Sequence, residues 1–288
     1  LNPSSAASDV YKRQKQYGVS LGEEARYRKK DVLLGPGVNI YRTPLNGRNF
    51  EYLGEDPFLA SEMVVPYIHG VQQNGVAACV KHYALNNQEH WRGHINVEVS
   101  DRALHEIYLP AFKAAIIEGQ SWSIMGAYNK FRGEHCCHNQ ILLNDILKNK
   151  WAFDGVVVSD WAGTHDSNQA IHNGLDIEMG TPSNENISKR YPYNNNFLGV
   201  SFLKKINTGE VKEELLNDKV KRILRLMYRT TLNQNRPFGS INNNAHSNTA
   251  YKVATEGIVL LKNEDNLLPI DIYKNLNIAV IGLSLIHI

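Results

Sequence analysis

A carboxylate and an indole stand where a strongly apolar segment of the chain ends. Asp160 and Trp161 follow three consecutive valines and a serine, at 156–159. Consecutive β-branched residues are typical of a strand that is buried on both faces, as in a parallel sheet covered by helices. In a barrel of such strands, the end at which Asp160 lies is where chemistry is carried out. Asp160 is therefore a candidate catalytic residue, although a carboxylate at this place can also cap the next helix.

Polar side chains also follow the ends of three other predicted strands. Arg48 comes shortly after the first of them, Lys81 and His82 end the second, and Tyr128 follows the third. Because barrel strands end around one pocket, we expect one carboxylate among cationic and hydroxyl groups, beside an aromatic wall. Such a pocket suits a polyhydroxylated substrate, because charged side chains bind sugar hydroxyls and an indole stacks on the sugar ring. The nearby positive charges favour an ionised Asp160, as a nucleophile requires.

Each of these side chains also has a purely structural explanation. Arg48 could hold its own loop through Glu51 or Glu55, and we expect this role for Glu51 in particular. A structural pair, a satisfied core hydroxyl or packing at the rim would account for the others, namely Lys81, His82, Tyr128 and Trp161. The functional interpretation depends on all of them lying at the same ends of the strands.

Strands and helices alternate along the chain. Strands are predicted over 38–41, 76–83, 122–127, 156–159 and 175–179, and helices over 61–73, 100–118, 139–150 and 167–173. This alternation predicts an α/β fold with a parallel sheet. No G-x-G-x-x-G follows a strand, which weakens a dinucleotide-binding interpretation. The polar strand ends favour a (β/α)8 barrel. We expect it to be truncated at its N-terminus, because a complete barrel needs eight strands and about five are found here.

The domain organisation follows from the composition after residue 180. Two further helices are predicted over 198–208 and 213–230, which completes a partial barrel domain over 15–232. The segment 233–249 is rich in Asn, Pro, Gly and Ser and is predicted to be a linker. A helix over 250–261 and a strand over 277–282 predict the start of a C-terminal α/β domain at 250–282.

Both ends of the chain resemble translated sequencing adaptor. D-V-Y-K-R-Q at 9–14 and L-S-L-I-H-I at 283–288 correspond to a transposase adaptor read in complementary senses. We expect segments 1–14 and 283–288 to be artefacts, with native sequence over 15–282. Any signal peptide would have preceded this stretch, so the sequence does not predict the compartment. A periplasmic or secreted parent protein is compatible with it.

Charge and cysteine content exclude some functions. The formal net charge of +2 offers no electrostatic argument for nucleic acid or a membrane surface, and no apolar run is long enough to span a bilayer. The three cysteines are too few for a disulfide framework, so we expect free thiols. The consecutive residues His135, Cys136, Cys137 and His138 cannot readily close a tetrahedron on one ion, which makes metal binding the lesser alternative. No cofactor or metal is expected, and Lys219, Lys221 and Arg222 are predicted to form a solvated helix face.

Six motifs resemble glycoside hydrolase family 3, and in particular its β-glucosidase group. In chain order they are G-R-N-F-E-Y-L-G-E-D-P, V-K-H-Y-A-L-N-N-Q-E, M-G-A-Y-N, W-A-F-D-G-V-V-V-S-D-W, G-L-D-I-E-M and E-G-I-V-L-L-K-N. The resemblance covers 15–282, with one small departure where Ala152 replaces a usual glycine. Lys81-His82 lacks the K-H-F-P-G-H-G pattern of the N-acetylglucosaminide branch, which favours the glucosidase and xylosidase branch.

The resemblance implies a retaining, exo-acting glycoside hydrolase acting on terminal β-D-glucosyl or similar residues of a glycoside or oligosaccharide. Asp160 would be the nucleophile that forms a covalent glycosyl-enzyme. Arg48, Lys81, His82 and Tyr128 match glycone-binding positions, and Met125 and Trp161 match positions that line the pocket. The family's acid/base is usually a Glu from the second domain, and no residue of this chain receives that role. An inactive fragment and a β-xylosidase of the same family are the alternatives, whereas a sugar-binding protein without catalysis would need a defective nucleophile.

Overall fold

A parallel sheet lies at the centre of the molecule in the computed structural model, which describes residues 5–180 and 196–279. Its strands are β1 (Val32–Leu33), β2 (Ala77–Tyr83), β4 (Ser123–Gly126) and β7 (Val156–Val158), and their order in space is β1-β2-β4-β7. All three pairings are parallel, and Ile124 pairs with Val80 on one side and Val157 on the other. Each strand therefore lies next to its predecessor, and the carboxyl ends of all four meet at one edge.

Helices connect and cover these strands. They are α1 (Ser5–Tyr27), α2 (Pro57–Gln72), α3 (Asp101–Ala103), α4 (Pro110–Ile117), α5 (Ile141–Lys150), α6 (Ser167–His172), α7 (Val200–Asn207), α8 (Glu213–Arg229) and α9 (Asn244–Gly257). A π-helical turn, Leu104–Tyr108, joins α3 to α4, and α5 is itself π-helical. A small second sheet contains β3 (Asn96–Val97), β5 (Lys130–Phe131) and β6 (Glu134–His135).

The strands bury side chains on both faces, which explains their continuous apolar sequence. Ile124 and Val157 pack toward the helices, in the larger apolar cluster. Met125, Val156 and Val158 point to the opposite face, in a second cluster. This alternation is the two-residue period of a β-strand. Each fully buried valine stabilises the fold by roughly 1.5–3 kcal/mol relative to an exposed one.

The predicted α/β organisation is confirmed, with differences at several element ends. The strand predicted over 38–41 is wrong, because the first strand is Val32–Leu33 and the pairing with β2 beyond it is limited to an isolated bridge between Gly37 and Lys81, in which the Val38 amide donates to the Lys81 carbonyl at 2.8 Å. The strand predicted over 175–179 is reduced to a parallel bridge between Ile177 and Val158. Helix α2 begins four residues earlier than predicted, because Asp56 caps it by accepting a hydrogen bond from the Phe58 amide.

Helix α9 begins at Asn244, six residues before the start of the helix predicted over 250–261. Asn243 caps it by accepting a hydrogen bond from the His246 amide. The predicted strand over 277–282 is not formed at 277–279, and its remainder lies outside the described residues. At the other end, α1 begins inside the segment that we expect to be adaptor-derived, while 283–288 lies outside the described residues.

The predicted solvated face of α8 is wrong for two of its three basic residues. Lys219 is buried and donates to the carbonyls of Leu175 and Ala170. Arg222 donates to two carbonyls just before β7, at 2.8 Å for Phe153 and 3.0 Å for Gly155. The reason is that backbone oxygens before β7 and around the end of α6 need donors, and these two cations supply them. Lys221 is exposed, as predicted.

Candidate active site

A cavity of about 390 Å³ lies at the carboxyl ends of the central strands. Its walls bring together side chains from β2, from β4 and from the segment after β7, together with two loops. The lining residues are Leu34, Arg48, Lys81, His82, Glu89, Arg92, Met125, Asp160 and Trp161. Six of the seven sequence-predicted site residues thus share one cavity, and Tyr128, the seventh, lies beside Asp160.

Asp160 is held in a tight turn after β7. Its Oδ1 accepts a hydrogen bond of 2.8 Å from the Trp161 amide, and its carbonyl accepts one of 3.0 Å from the Gly163 amide. The preceding residue, Ser159, is bonded through its amide to the Ile177 carbonyl and through its hydroxyl to the Met179 amide. Asp160 is 5% exposed, so the turn presents a largely desolvated carboxylate with a fixed orientation.

The His82 ring lies near the second oxygen of that carboxylate. Its Nε2 is 3.8 Å from Asp160 Oδ2, a distance at which a charged imidazole would form an ion pair. Burial, followed by the positive charges of Arg48, Lys81 and Arg92, lowers the pKa of His82 to about 2. His82 is therefore neutral, and its contact with Asp160 is one between a carboxylate and an uncharged ring.

Glu51 anchors two cations at the wall of the cavity. It accepts hydrogen bonds from Arg48, 2.6 Å from Nη2 and 3.2 Å from Nε, and its Oε1 is 3.5 Å from Lys81 Nζ. The loop-holding role expected for Glu51 is confirmed by these contacts. The bidentate geometry fixes the plane of the guanidinium group and keeps it beside His82.

Sequence reasoning missed Glu89 and Arg92, two further charged residues of the cavity. They lie in the loop between β2 and β3, and Arg92 Nη1 is 2.6 Å from Glu89 Oε2. The Arg92 guanidinium also lies over the Tyr128 ring, 4.5 Å from its centroid. Burial, then the Asp160 charge, raises the pKa of Tyr128, so that its hydroxyl remains a donor. The sequence did contain a signal for both residues. They lie in a charged loop that follows β2, the strand that carries the candidates Lys81 and His82.

Met125 and Trp161 form the apolar part of the cavity. Met125 is fully buried on the inner face of β4, where it packs with the valines of β7. Trp161 is 49% exposed at the rim, so an indole face is accessible to a ligand. An exposed indole beside a polar cavity combines stacking with hydrogen bonding.

The histidine-rich segment beyond Tyr128 forms a stacked cluster. The rings of His135 and His165 are 3.9 Å apart, and the His138 Nε2 accepts a hydrogen bond of 3.1 Å from the His165 amide. Within 5–180 and 196–279, no group of three or more potential ligands has the geometry to hold a metal ion.

Cys136 and Cys137 are buried free thiols, as predicted, and burial raises the pKa of Cys136 to about 12. The described part of the chain also contains no helix with the length and apolar content to cross a bilayer.

Comparison with known proteins identifies the family. The model of the glycosyl hydrolase family 3 N terminal domain matches residues 4–226. Beta-glucosidase BoGH3A of Bacteroides ovatus is 60% identical over 273 residues, which is 93% of this chain and 36% of that protein. Thermostable beta-glucosidase B of Acetivibrio thermocellus is 42% identical over 265 residues, with 92% and 33% covered. The structure of DesR, a beta-glucosidase from Streptomyces venezuelae in complex with D-glucose, superposes with a TM-score of 0.83 at 33% identity, with 92% and 34% covered.

The chain spans about a third of the length of each of these relatives. The family match, in contrast, covers most of the chain and includes all four central strands and the candidate cavity. The chain therefore belongs to glycosyl hydrolase family 3.

Proposed function

We propose that the chain carries the nucleophile of a retaining, exo-acting glycoside hydrolase that releases terminal β-D-glucosyl or similar residues. The observation that carries this proposal is the placement of Asp160, a buried carboxylate facing a polar cavity at the carboxyl ends of parallel strands. The names of the two relatives and of the solved structure, all beta-glucosidases, support the substrate class.

In the proposed first step, Asp160 Oδ2 attacks the anomeric carbon and the bond to the leaving oxygen breaks. The electron pair of that bond goes to the leaving oxygen, which takes a proton from a general acid. The Trp161 amide occupies Oδ1, so Oδ2 is the oxygen available for attack. Water then cleaves the glycosyl ester at the same carbon, and two inversions amount to retention.

The surrounding side chains are proposed to bind the sugar. Arg48, Lys81, His82 and Tyr128 would contact glycone hydroxyls, and Arg92 joins them because its guanidinium lines the same cavity. Met125 and Trp161 would line the pocket, with Trp161 stacking at the rim, where it is half exposed.

The general acid is proposed to come from outside this chain. Among the described residues that line the cavity, Glu89 is the only carboxylate besides Asp160, and its Oε2 lies 2.6 Å from Arg92 Nη1. Glu89 is engaged in this ion pair with Arg92, and the family resemblance assigns the acid to a second domain. A residue of a second domain, contacting the cavity from the open side, would fill this role.

Two architectural proposals accompany this function. The sheet order β1-β2-β4-β7 has no reversal, which supports a (β/α)8 barrel over a doubly wound sheet. The segment 258–278 supports the start of a C-terminal α/β domain, because it is rich in exposed apolar side chains, including Leu261 at 91% and Tyr273 at 93%. Such a segment needs a packing partner.

A covalent label tests the nucleophile without requiring the general acid. A 2-deoxy-2-fluoro-β-glucoside with a dinitrophenyl leaving group needs no protonation and forms a stable glycosyl-enzyme. We expect the chain to gain one fluoroglucosyl group on a peptide containing Asp160, and Asp160→Asn to gain none. Glu89→Gln is the control and should still be labelled.

Labelling at another residue, or equal labelling of the Asp160→Asn variant, would overturn the assignment. The labelling rate is also measured with the corresponding 2-fluoroxyloside. Faster labelling by the xyloside than by the glucoside would indicate the β-xylosidase alternative. Labelling without turnover of unactivated glucosides would indicate that this chain is the inactive fragment of the enzyme.

A further inference from the structure

Three asparagines of the chain, Asn46, Asn74 and Asn173, are each followed directly by a glycine. In such a pair the glycine amide nitrogen can attack the side-chain carbonyl of the asparagine, because glycine has no Cβ to obstruct the approach. The attack requires the side chain and the following amide to move toward each other. Packing and hydrogen bonds at the pair therefore oppose the reaction, and the three pairs differ only in these surroundings.

Two of the pairs are held inside the fold. Asn74 is 4% exposed, and its Nδ2 donates to the Gly70 carbonyl at 3.0 Å. The Asn173 Nδ2 donates to the His138 carbonyl at 2.9 Å. The glycine that follows is buried in both cases. At both positions the local structure has to open before the two reacting groups can meet.

Asn46 lies instead in an exposed loop, between Leu45, which is 91% exposed, and Gly47, which is also exposed. Among the described residues its side chain has a single hydrogen-bond partner, since Nδ2 donates to Asn49 Oδ1 at 3.1 Å and Oδ1 accepts from none. The surroundings of the three pairs thus leave Asn46 the least restrained.

We infer that Asn46 is a site of spontaneous deamidation, in which the Gly47 nitrogen attacks Cγ of Asn46. The bond between this nitrogen and Cγ forms, the bond between Cγ and Nδ2 breaks, and the proton of the Gly47 amide passes through solvent to the departing ammonia. Water then opens the five-membered imide at either of its carbonyl carbons, which yields isoaspartate or aspartate. Water is the only co-reactant.

The product has a carboxylate where the loop needs a donor. Asn49 Nδ2 donates to the Thr43 carbonyl at 2.7 Å, so Asn49 Oδ1 is the acceptor of the bond from Asn46. An ionised carboxylate has acceptors only and would face this oxygen without a proton between them. Isoaspartate also adds one carbon to the main chain, two residues before Arg48. Deamidation should therefore disturb the cavity wall and slow the glycoside reaction, a consequence that rests on the proposed function.

The site is tested by ageing the chain in mildly alkaline buffer and mapping its peptides by mass spectrometry. The mass shift from amide to carboxyl reports conversion, and electron-transfer fragmentation distinguishes isoaspartate from aspartate. We expect Asn46 to convert at least about tenfold faster than Asn74 and Asn173, because those two pairs must first open locally. Conversion of either buried pair as fast as Asn46, or no conversion of Asn46, would overturn the inference.

Gly47→Ala is the matched variant, because it retains the Asn46 side chain and adds a methyl group beside the attacking nitrogen. The added Cβ would lie 3.8 Å from Glu89 Cγ, an ordinary van der Waals contact, and the backbone of Gly47 is not in the left-handed region. We expect Asn46 to convert at least about tenfold more slowly in this variant than in the wild type. Equal rates would contradict attack by the Gly47 nitrogen.

Labelling with the fluoroglucoside is measured on fresh and aged samples of both proteins. We expect the fresh proteins to be labelled alike, and wild-type molecules converted at Asn46 to be labelled about threefold to tenfold more slowly, the size expected for one lost hydrogen bond. Unchanged labelling of the converted molecules would refute the consequence for the cavity wall. If the fresh wild type is not labelled at all, the proposed function fails, and the peptide masses still decide whether Asn46 deamidates.

Discussion

The buried lysine of α8 makes the stability of the fold depend on pH in an unusual direction. Burial lowers the pKa of Lys219 to about 8 from its ordinary value of 10.5. The neutral amine still donates to the Leu175 and Ala170 carbonyls, so deprotonation removes the cost of a buried charge and retains the hydrogen bonds. Between these two pKa values the unfolded chain binds more protons than the folded one, and stability therefore rises with pH.

The size of the effect follows from the two pKa values. Going from pH 7 to pH 9.5, the contribution of Lys219 to the free energy of unfolding should rise by about 2 kcal/mol. Lys219→Met, which has a similar length and no charge, should lack this contribution. The assay is urea unfolding of both proteins at several pH values in this window, below the range in which tyrosines of the unfolded chain titrate.

Lys221→Met provides the matched control, because Lys221 lies on the same helix and is exposed. We expect it to follow the pH dependence of the wild type. If Lys219→Met and the wild type show the same change in unfolding free energy between pH 7 and pH 9.5, Lys219 is not a desolvated cation and the packing argument for α8 is wrong.

Two further predictions concern a buried ion pair and the rim of the cavity. Asp176→Asn should lower the free energy of unfolding by about 3–5 kcal/mol, because Lys148, 2.7 Å away, is left buried without its partner. Asp145→Asn, on the exposed side of α5, should cost under about 0.5 kcal/mol in the same urea titration. Trp161→Ala should weaken glycoside binding by about fivefold to thirtyfold in a fluoroglucoside saturation assay, because it removes the half-exposed indole, while Trp91→Ala, which removes an exposed indole that does not line the cavity, should change it little.

The main secondary structure was predictable because its causes are local. The run of valines before Asp160 and the helical spacing of apolar residues over 100–118 are features of local residue order, which is present before the chain folds. The predictions were wrong where a helix start depended on its capping residue, and where a predicted strand had too few pairing partners. Helix α2 is capped by Asp56, and Pro57 is a favourable first residue, so the helix begins before Ser61.

The candidate site was predictable where its residues end strands, since parallel strands bring those ends together. Glu89 and Arg92 were missed because a loop has no period, and their place depends on how the chain returns over the cavity. Lys219 was misjudged for a related reason. A basic residue on an amphipathic helix is usually solvated, and the carbonyls that it binds belong to residues more than forty positions away.

Residue types and their order were sufficient to establish the alternating α/β pattern, the family resemblance and the carboxylate that follows β7. They could not establish what each charged group contacts. The neutrality of His82, the bidentate hold of Glu51 on Arg48 and the burial of Lys219 arise only when distant segments pack, because desolvation and pairing depend on three-dimensional neighbours. Local physics thus determined the elements, and tertiary contacts decided the protonation and orientation of the groups they carry.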